Sequence, residues 1–337
     1  MMRRAAMAIV LSLLSATGAR AQTQVLIVSG LGGAPRYTQE FGDLAQRLAG
    51  AMHSRFGLAD SNVTWLGERA VAGLPHYAGE STGPNIEAAL GKVASKARPG
   101  AEVLLVLIGH GSGSGAESKV SLPGPDLTAQ DLARLLAPLS GQRVAVVDLA
   151  SASGDALGVL SAPGRVVIAA TKSSFERNES QFGGFFVDAL TKDGADTDKD
   201  GRVSLLEAFQ YAAHETERYY ADGNRIQSEH AQLDDDGDGK GTGAPDGRAG
   251  DGLLARRFFL DGGERAVVAA ANDPKLAALY ARRFSLTDSV QALMTRKEKL
   301  PAASYEQELE RLLVALSRTG HEIRALEGSA KSGGGAS

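Results

Sequence analysis

Val103-Leu-Leu-Val-Leu-Ile-Gly-His110-Gly111 and Val144-Ala-Val-Val-Asp148-Leu-Ala-Ser151-Ala-Ser-Gly154 decide the reading of this chain. Each is a strand-length apolar run that stops at a polar residue close to a glycine. A strand that is apolar on both faces belongs to a sheet covered on both faces, which is the habit of parallel sheets. In open parallel sheets ligands and chemistry gather in the crevice outside the carboxyl ends of the strands. His110 and Ser151 therefore fall where a general base and a hydroxyl nucleophile can meet.

Outward from these two segments, apolar β-branched runs predict further strands at Gln24 to Ser29, Asn62 to Leu66 and Arg165 to Ala170, with the quoted pair covering Glu102 to Gly109 and Arg143 to Asp148. Helical periodicity falls between them at Thr38 to His53, Asn85 to Ala97, Thr128 to Leu139 and Gln181 to Leu190. Strands separated by helices imply βαβ units. The fold class is thus α/β, a three-layer sandwich with a mainly parallel sheet over residues 22–262. The stretch 222–252 interrupts the pattern with Asp and Gly, and a loop of that length calls for a function or for disorder. From residue 263 the composition turns to Ala, Leu, Arg and Glu. Pro274 to Lys299 and Ser304 to Glu327 read as a helical hairpin around Pro301, its apolar positions Leu309, Leu312, Leu313 and Leu316 meant for the core or another subunit. That hairpin domain spans 263–328, and 329–337 reads as a disordered tail.

The first residues have the pattern of an export signal: Arg3 and Arg4, an apolar run from Ala5 to Ala16, and Ala19-Arg20-Ala21 as a small-x-small cleavage site. The run is too short to span a bilayer. The expectation is cleavage near Ala21 and an exported, periplasmic or secreted protein, with no membrane span elsewhere. A net charge of −4 without any Lys/Arg stripe argues against a nucleic-acid partner. The 337 residues contain no cysteine, so no disulfide staples the fold. Stability must come from the core and from bound ions.

Asp196-Thr-Asp198-Lys-Asp200-Gly-Arg202-Val-Ser204-Leu-Leu-Glu207 fits an EF-hand loop at its diagnostic positions. Carboxylates at loop positions 1, 3 and 5 wrap a hard cation, Gly201 makes the sharp turn, Arg202 offers its backbone carbonyl, Ser204 acts through water and Glu207 closes the shell. The cofactor expected here is Ca2+. Asp234, Asp236 and Asp238 begin a similar loop, but position 12 is Pro245. A second calcium, completed irregularly by Asp246 or Asp251, stands beside a flexible acidic loop as an open alternative.

Taken in order, the strand ending in His110-Gly111 and the later strand followed by Ala150-Ser151-Ala152-Ser153-Gly154 resemble the legumain/caspase superfamily of cysteine peptidases. The resemblance covers roughly Gln24 to Leu260, includes Val25-Leu-Ile-Val-Ser-Gly-Leu-Gly-Gly33 and Leu122-Pro-Gly-Pro-Asp126, and is nearest to exported bacterial legumain-like proteins that carry an aspartate-rich calcium loop. It implies a caspase-like sheet, His110 as general base, the Gly111 amide as oxyanion donor, and a peptide or protein held in the strand-end groove. It also places Ser151 where the nucleophilic cysteine belongs. A serine hydroxyl, unlike a thiol, needs a base in contact and a third group to orient that base. Three readings stay open: a catalytically silent relative, an active serine-dependent hydrolase, and a calcium-stabilised binding or scaffold protein of the cell envelope. Asp148 and Asp155 are available as acids, but the sequence aims neither at His110. Thr171-Lys172-Ser173-Ser174, with Glu176 and Arg177 nearby, joins the same rim either as groove lining or as a polar loop. The remaining histidines, His53, His76, His214, His230 and His321, share no zinc-ligand spacing. The sequence leaves the oligomeric state open.

Overall fold

The structure is a computed structural model that describes residues 23–69, 73–199, 202–260, 273–294 and 300–333. Its strands are β1 (Gln24–Ser29), β2 (Val63–Gly67), β3 (Tyr77–Glu80), β4 (Glu102–Ile108), β5 (Gly111–Ser112), β6 (Lys119–Val120), β7 (Leu127–Thr128), β8 (Arg143–Asp148), β9 (Arg165–Ala169) and β10 (Gln232–Asp234). The helices are α1 (Pro35–Ser54), α2 (Gly83–Lys96), α3 (Ala129–Leu136), α4 (Gly154–Leu160), α5 (Phe182–Thr191), α6 (Leu205–Asp222), α7 (Pro274–Met294) and α8 (Ala302–Gly333). A seven-stranded sheet runs β10-β9-β8-β4-β1-β2-β3. Every neighbouring pair is parallel except β10 with β9. β4 lies at the centre with all its residues buried, as its two-sided apolar run requires.

The strand alternation sends two apolar sets to opposite faces. Ile27, Leu104, Val106, Ala145, Val147 and Ile168 pack with α1, α5 and α6, whereas Leu26, Leu105, Leu107, Val144, Val146 and Val167 pack with α2, α3 and α4. Each fully buried Leu or Ile here contributes roughly 1.5–3 kcal/mol against exposure. Helix starts are set locally: Pro35 pre-forms the first turn of α1, and the Thr128 hydroxyl caps α3 by accepting from the Asp131 amide at 3.0 Å.

Three features depart from the sequence reading. β3 and β10 are edge strands too short and too polar to announce themselves, and β10 lies inside the acidic stretch that reads as loop. A small antiparallel sheet, β5-β6-β7, follows directly on His110. Helix α8 continues to Gly333, through residues that read as tail. In the hairpin, Leu293, Tyr305 and Leu312 form a buried cluster with Leu309 against it, while Leu313 is largely exposed. The export signal, Asp200 and Gly201, and residues 263–272 of the hairpin domain lie outside the described residues. No described helix is long and apolar enough to cross a membrane.

Two ends of the sheet are distinguishable. Helix α1 begins beside the carboxyl ends of the strands, where Glu40 and Phe41 meet His110. Its far end carries Arg55, paired with Asp193 at 2.9 Å just beyond α5. Helix α5 runs the same way, starting at the His110 crevice with Gly183 and delivering the chain to Asp196 at the opposite end.

Candidate functional sites at the strand ends and in the acidic loops

The chain crosses itself closely where β4 and β8 end. A methyl group on Gly111 would stand 2.2 Å from the Ser151 carbonyl oxygen, and one on Gly154 would stand 2.2 Å from the Lys172 carbonyl carbon. These contacts explain the glycine that follows His110 and the glycine that ends the Ser151 turn. They also bring the two predicted residues together: His110 and Ser151 line one cavity of about 20 Å3, together with Glu40, Phe41, Leu149 and Glu179. That volume accommodates about one water.

Their chemistry is less complete than their placement. The His110 ring meets Tyr37 edge-on at 4.6 Å between centroids and Phe41 at 5.0 Å. No hydrogen bond joins it to Ser151 or to any other described residue. The buried Ser151 hydroxyl instead accepts from the Gly111 amide at 3.4 Å, a long bond that occupies the donor expected to serve an oxyanion. Ala152, next in the chain, is held at φ 56°, a left-handed conformation that costs a residue with a Cβ about 1 kcal/mol. Its amide is anchored on the Glu176 carbonyl at 2.9 Å.

Asp148 does not orient His110. It faces Leu107, Ala129, Leu132 and Leu160 on the other side of the sheet, where complete burial pushes its carboxyl up to about 7, only partly opposed by the Ala150 amide it accepts from. The acids that do reach the crevice are Glu40 and Glu179, which the sequence reading passed over. Burial raises the Glu40 carboxyl above its usual range, the Glu179 charge raises it further, and Arg36 opposes both. Tyr37 donates to Glu179 at 3.2 Å. A signal was present: Tyr37, Glu40 and Phe41 share the inward face of α1 at helical spacing. The rim segment Thr171–Ser174 is used structurally, since the fully buried Thr171 hydroxyl accepts from the Gly154 amide at 3.0 Å. Glu176 binds the His230 ring at 2.6 Å and the Lys172 amide at 2.7 Å, tying two loops together.

At the other end, Asp196, Asp198 and Glu207 offer carboxylate oxygens within 4.8 Å of one another and can hold a metal ion. Glu207 is already employed. One oxygen accepts from the Thr197 amide at 3.0 Å and its hydroxyl at 3.1 Å, and the other from the Ser204 amide and hydroxyl, both at 2.9 Å. Ser204 and Glu207 thereby form the capping box that starts α6. This spends the Ser204 hydroxyl on the helix rather than on a loop ligand. The Arg202 guanidinium stacks over Phe259 at 3.6 Å.

The second acidic group contains Asp234, Asp236 and Asp251; Asp238 stands outside it. Asp238 instead accepts from the Lys240 amide at 2.7 Å in a local turn. Asp251 returns from the end of the loop because Asp235 pins the backbone there, accepting from the amides of Gly252, Leu254 and Ala255 at 2.8–2.9 Å. Burial, together with Asp236, Asp234 and Asp235, pushes the Asp251 carboxyl up to about 6 against the Asp235 amide it accepts from. A cation bound there would relieve the crowding of like charges.

No family profile and no curated protein matches this chain. Among solved structures, the crystal structure of protein GSU0716 from Geobacter sulfurreducens, a structural-genomics target, is similar at 15% identity over 58% of this chain and 89% of that chain, with a TM-score of 0.38. The chain is an α/β protein whose mostly parallel seven-stranded sheet is flanked by helices, with further C-terminal helices and two acidic groups that can hold a metal ion.

Proposed function

We propose that this chain is an exported, calcium-binding protein of legumain/caspase-like descent whose peptidase crevice is catalytically silent. The observation that carries the reading is the state of the Ser151 hydroxyl: it is buried, bonded to the Gly111 amide, and without a hydrogen bond to His110. A serine nucleophile requires contact with its base and an acid that orients that base. Here the imidazole packs against aromatic rings, and the cavity it shares with Ser151 has room for about one water. The export signal at Arg3 to Ala21 supports the location.

Calcium is the ion that fits the first acidic group. Its donors are carboxylate oxygens in a twelve-residue loop pattern, which suits a hard cation. Asp196, Asp198, Asp200 and Glu207 would hold it, and the ion would supply charge neutralisation and loop rigidity rather than catalysis. Asp234, Asp236 and Asp251 form a second, less regular seat of the same kind. The first seat lies at the opposite end of the sheet from His110, so calcium stabilises the domain without shaping the crevice rim.

Two measurements test the reading. The mature protein, with and without calcium, is incubated with a peptide library beside a Ser151→Ala variant; no cleavage is expected, and cleavage abolished in the variant establishes a serine-dependent hydrolase instead. Calcium at about a hundred times its dissociation constant is expected to add roughly 2.7 kcal/mol of stability. Glu207→Gln separates metal from cap, because glutamine can keep the capping box. It should fold with α6 intact and lose the calcium increment, whereas an undiminished increment rejects Glu207 as a ligand.

A further inference from the structure

Beside the first acidic group, between the start of α6, the 246–259 segment and the hairpin, lies a cleft of about 300 Å3. Arg248, Arg256 and Arg257 line it, and none of their guanidinium groups has a hydrogen bond or ion pair among the described residues. Gly247 packs against two of the lining residues: a methyl group there would stand 2.7 Å from the Leu206 side chain and 3.3 Å from that of Arg256. The half-buried Arg257 guanidinium sits below its ordinary range, through burial first and then the neighbouring charges of Arg256 and Arg143, with the Asp235 charge opposing them. Arg248 and Arg256 are exposed and Arg257 is half-buried, and guanidinium groups that line one cleft without an ion pair are complementary to an oxyanion, which their planar fork can grip in bidentate fashion. The same cleft is walled by Leu206, Phe259, Leu313 and Leu316, apolar surface that a bare inorganic ion would leave unused.

We propose that this cleft binds a phosphate ester with an apolar substituent, the phosphate on Arg248, Arg256 and Arg257 and the substituent against Leu206, Phe259 and Leu313. The site owes nothing to the His110 crevice and does not require a metal. Asp198, Glu207 and Asp246 also face the cleft, and none of them forms an ion pair with these arginines. A cation held by Asp198 and Glu207 would add to the attraction for phosphate.

Titration calorimetry on the mature full chain with inorganic phosphate and with octyl phosphate tests the proposal. Both are expected to bind saturably, octyl phosphate at least about tenfold more tightly through its buried methylenes. Arg256→Ala/Arg257→Ala should weaken octyl phosphate binding by about tenfold or more with the melting temperature unchanged, and Arg256→Lys/Arg257→Lys should recover part of it. Absence of saturable octyl phosphate binding, or affinity unaltered in the alanine variant, overturns the proposal. Sedimentation with phosphatidylglycerol vesicles, but not phosphatidylcholine vesicles, assigns the phosphate to a lipid headgroup. Octyl phosphate binding without sedimentation assigns it to a free ester. Calcium affinity, measured separately on the same preparations, reports on the metal reading alone.

Discussion

Asp148 is a carboxyl group held in an apolar setting, and its effect on stability has a definite sign. Its folded-state value of about 7 lies above the 3.8 of an ordinary aspartate, so between these limits the folded chain binds the proton that the unfolded chain releases. Stability contributed by the protonated form is complete below the lower limit and is lost as pH rises through the upper one, at up to roughly 1.4 kcal/mol per pH unit. Asp148→Asn should flatten that fall. In urea denaturation from pH 4 to pH 8, a variant whose profile runs parallel to the parent rejects this account. Gly111 makes a second prediction at the same scale. With the Ser151 carbonyl 2.2 Å from any added methyl, Gly111→Ala should cost about 1–3 kcal/mol by forcing β4 and β8 apart, measurable as a lowered denaturation midpoint.

At the scale of elements, the ordered acidic loop depends on one carboxylate. Asp235→Ala would strand the amides of Gly252, Leu254 and Ala255, and a loss of about 2–4 kcal/mol is expected, with hydrogen exchange of those amides accelerated beyond that of β4. Unchanged exchange there would mean that the loop holds itself without Asp235. The same loop marks where sequence reading runs out. Long two-sided apolar strands such as β4 and β8 were legible because burial on both faces dictates composition, and helices α1 to α3 were legible from their apolar stripe. β10 was hidden because three residues, Gln232 to Asp234, form it, and its pairing with β9 is long-range. His110 and Ser151 were legible as neighbours because each ends a buried strand. Glu179 was not, since a charged residue in a loop says nothing of the fold that brings it to the crevice, and Glu40 was marked only by sharing the inward face of α1 with Tyr37 and Phe41. Asp251 entered the second acidic group in place of Asp238 for the same reason: it comes from far along the chain, carried by hydrogen bonds that spacing does not encode.

For the whole molecule, the sheet separates two kinds of site. The crevice of His110 and Ser151 lies at the carboxyl ends of the strands, the acidic group of Asp196, Asp198 and Glu207 lies at the other end, and α1 and α5 run between them, joined by ion pairs of Arg47 with Asp188 and Arg55 with Asp193. If calcium adds stability only at its own end, the His110 ring resonances should stay in place across a calcium titration while the melting temperature climbs. A shift of those resonances in step with calcium occupancy would instead join the two ends mechanically.

The engagement of Glu207 in starting α6 gives the cation seat an unusual character. An ion that arrives does not fill an idle pocket; it displaces amide and hydroxyl protons from oxygens that already have partners. Capture is therefore an exchange, and its heat is the difference between two well-made sets of contacts. Such a seat discriminates by geometry, since a cation too small to draw in the remaining ligands gains less than the helix start gives up. Its affinity is consequently a property of α6 as much as of the carboxylates, and whatever firms or frays that first turn retunes the ion.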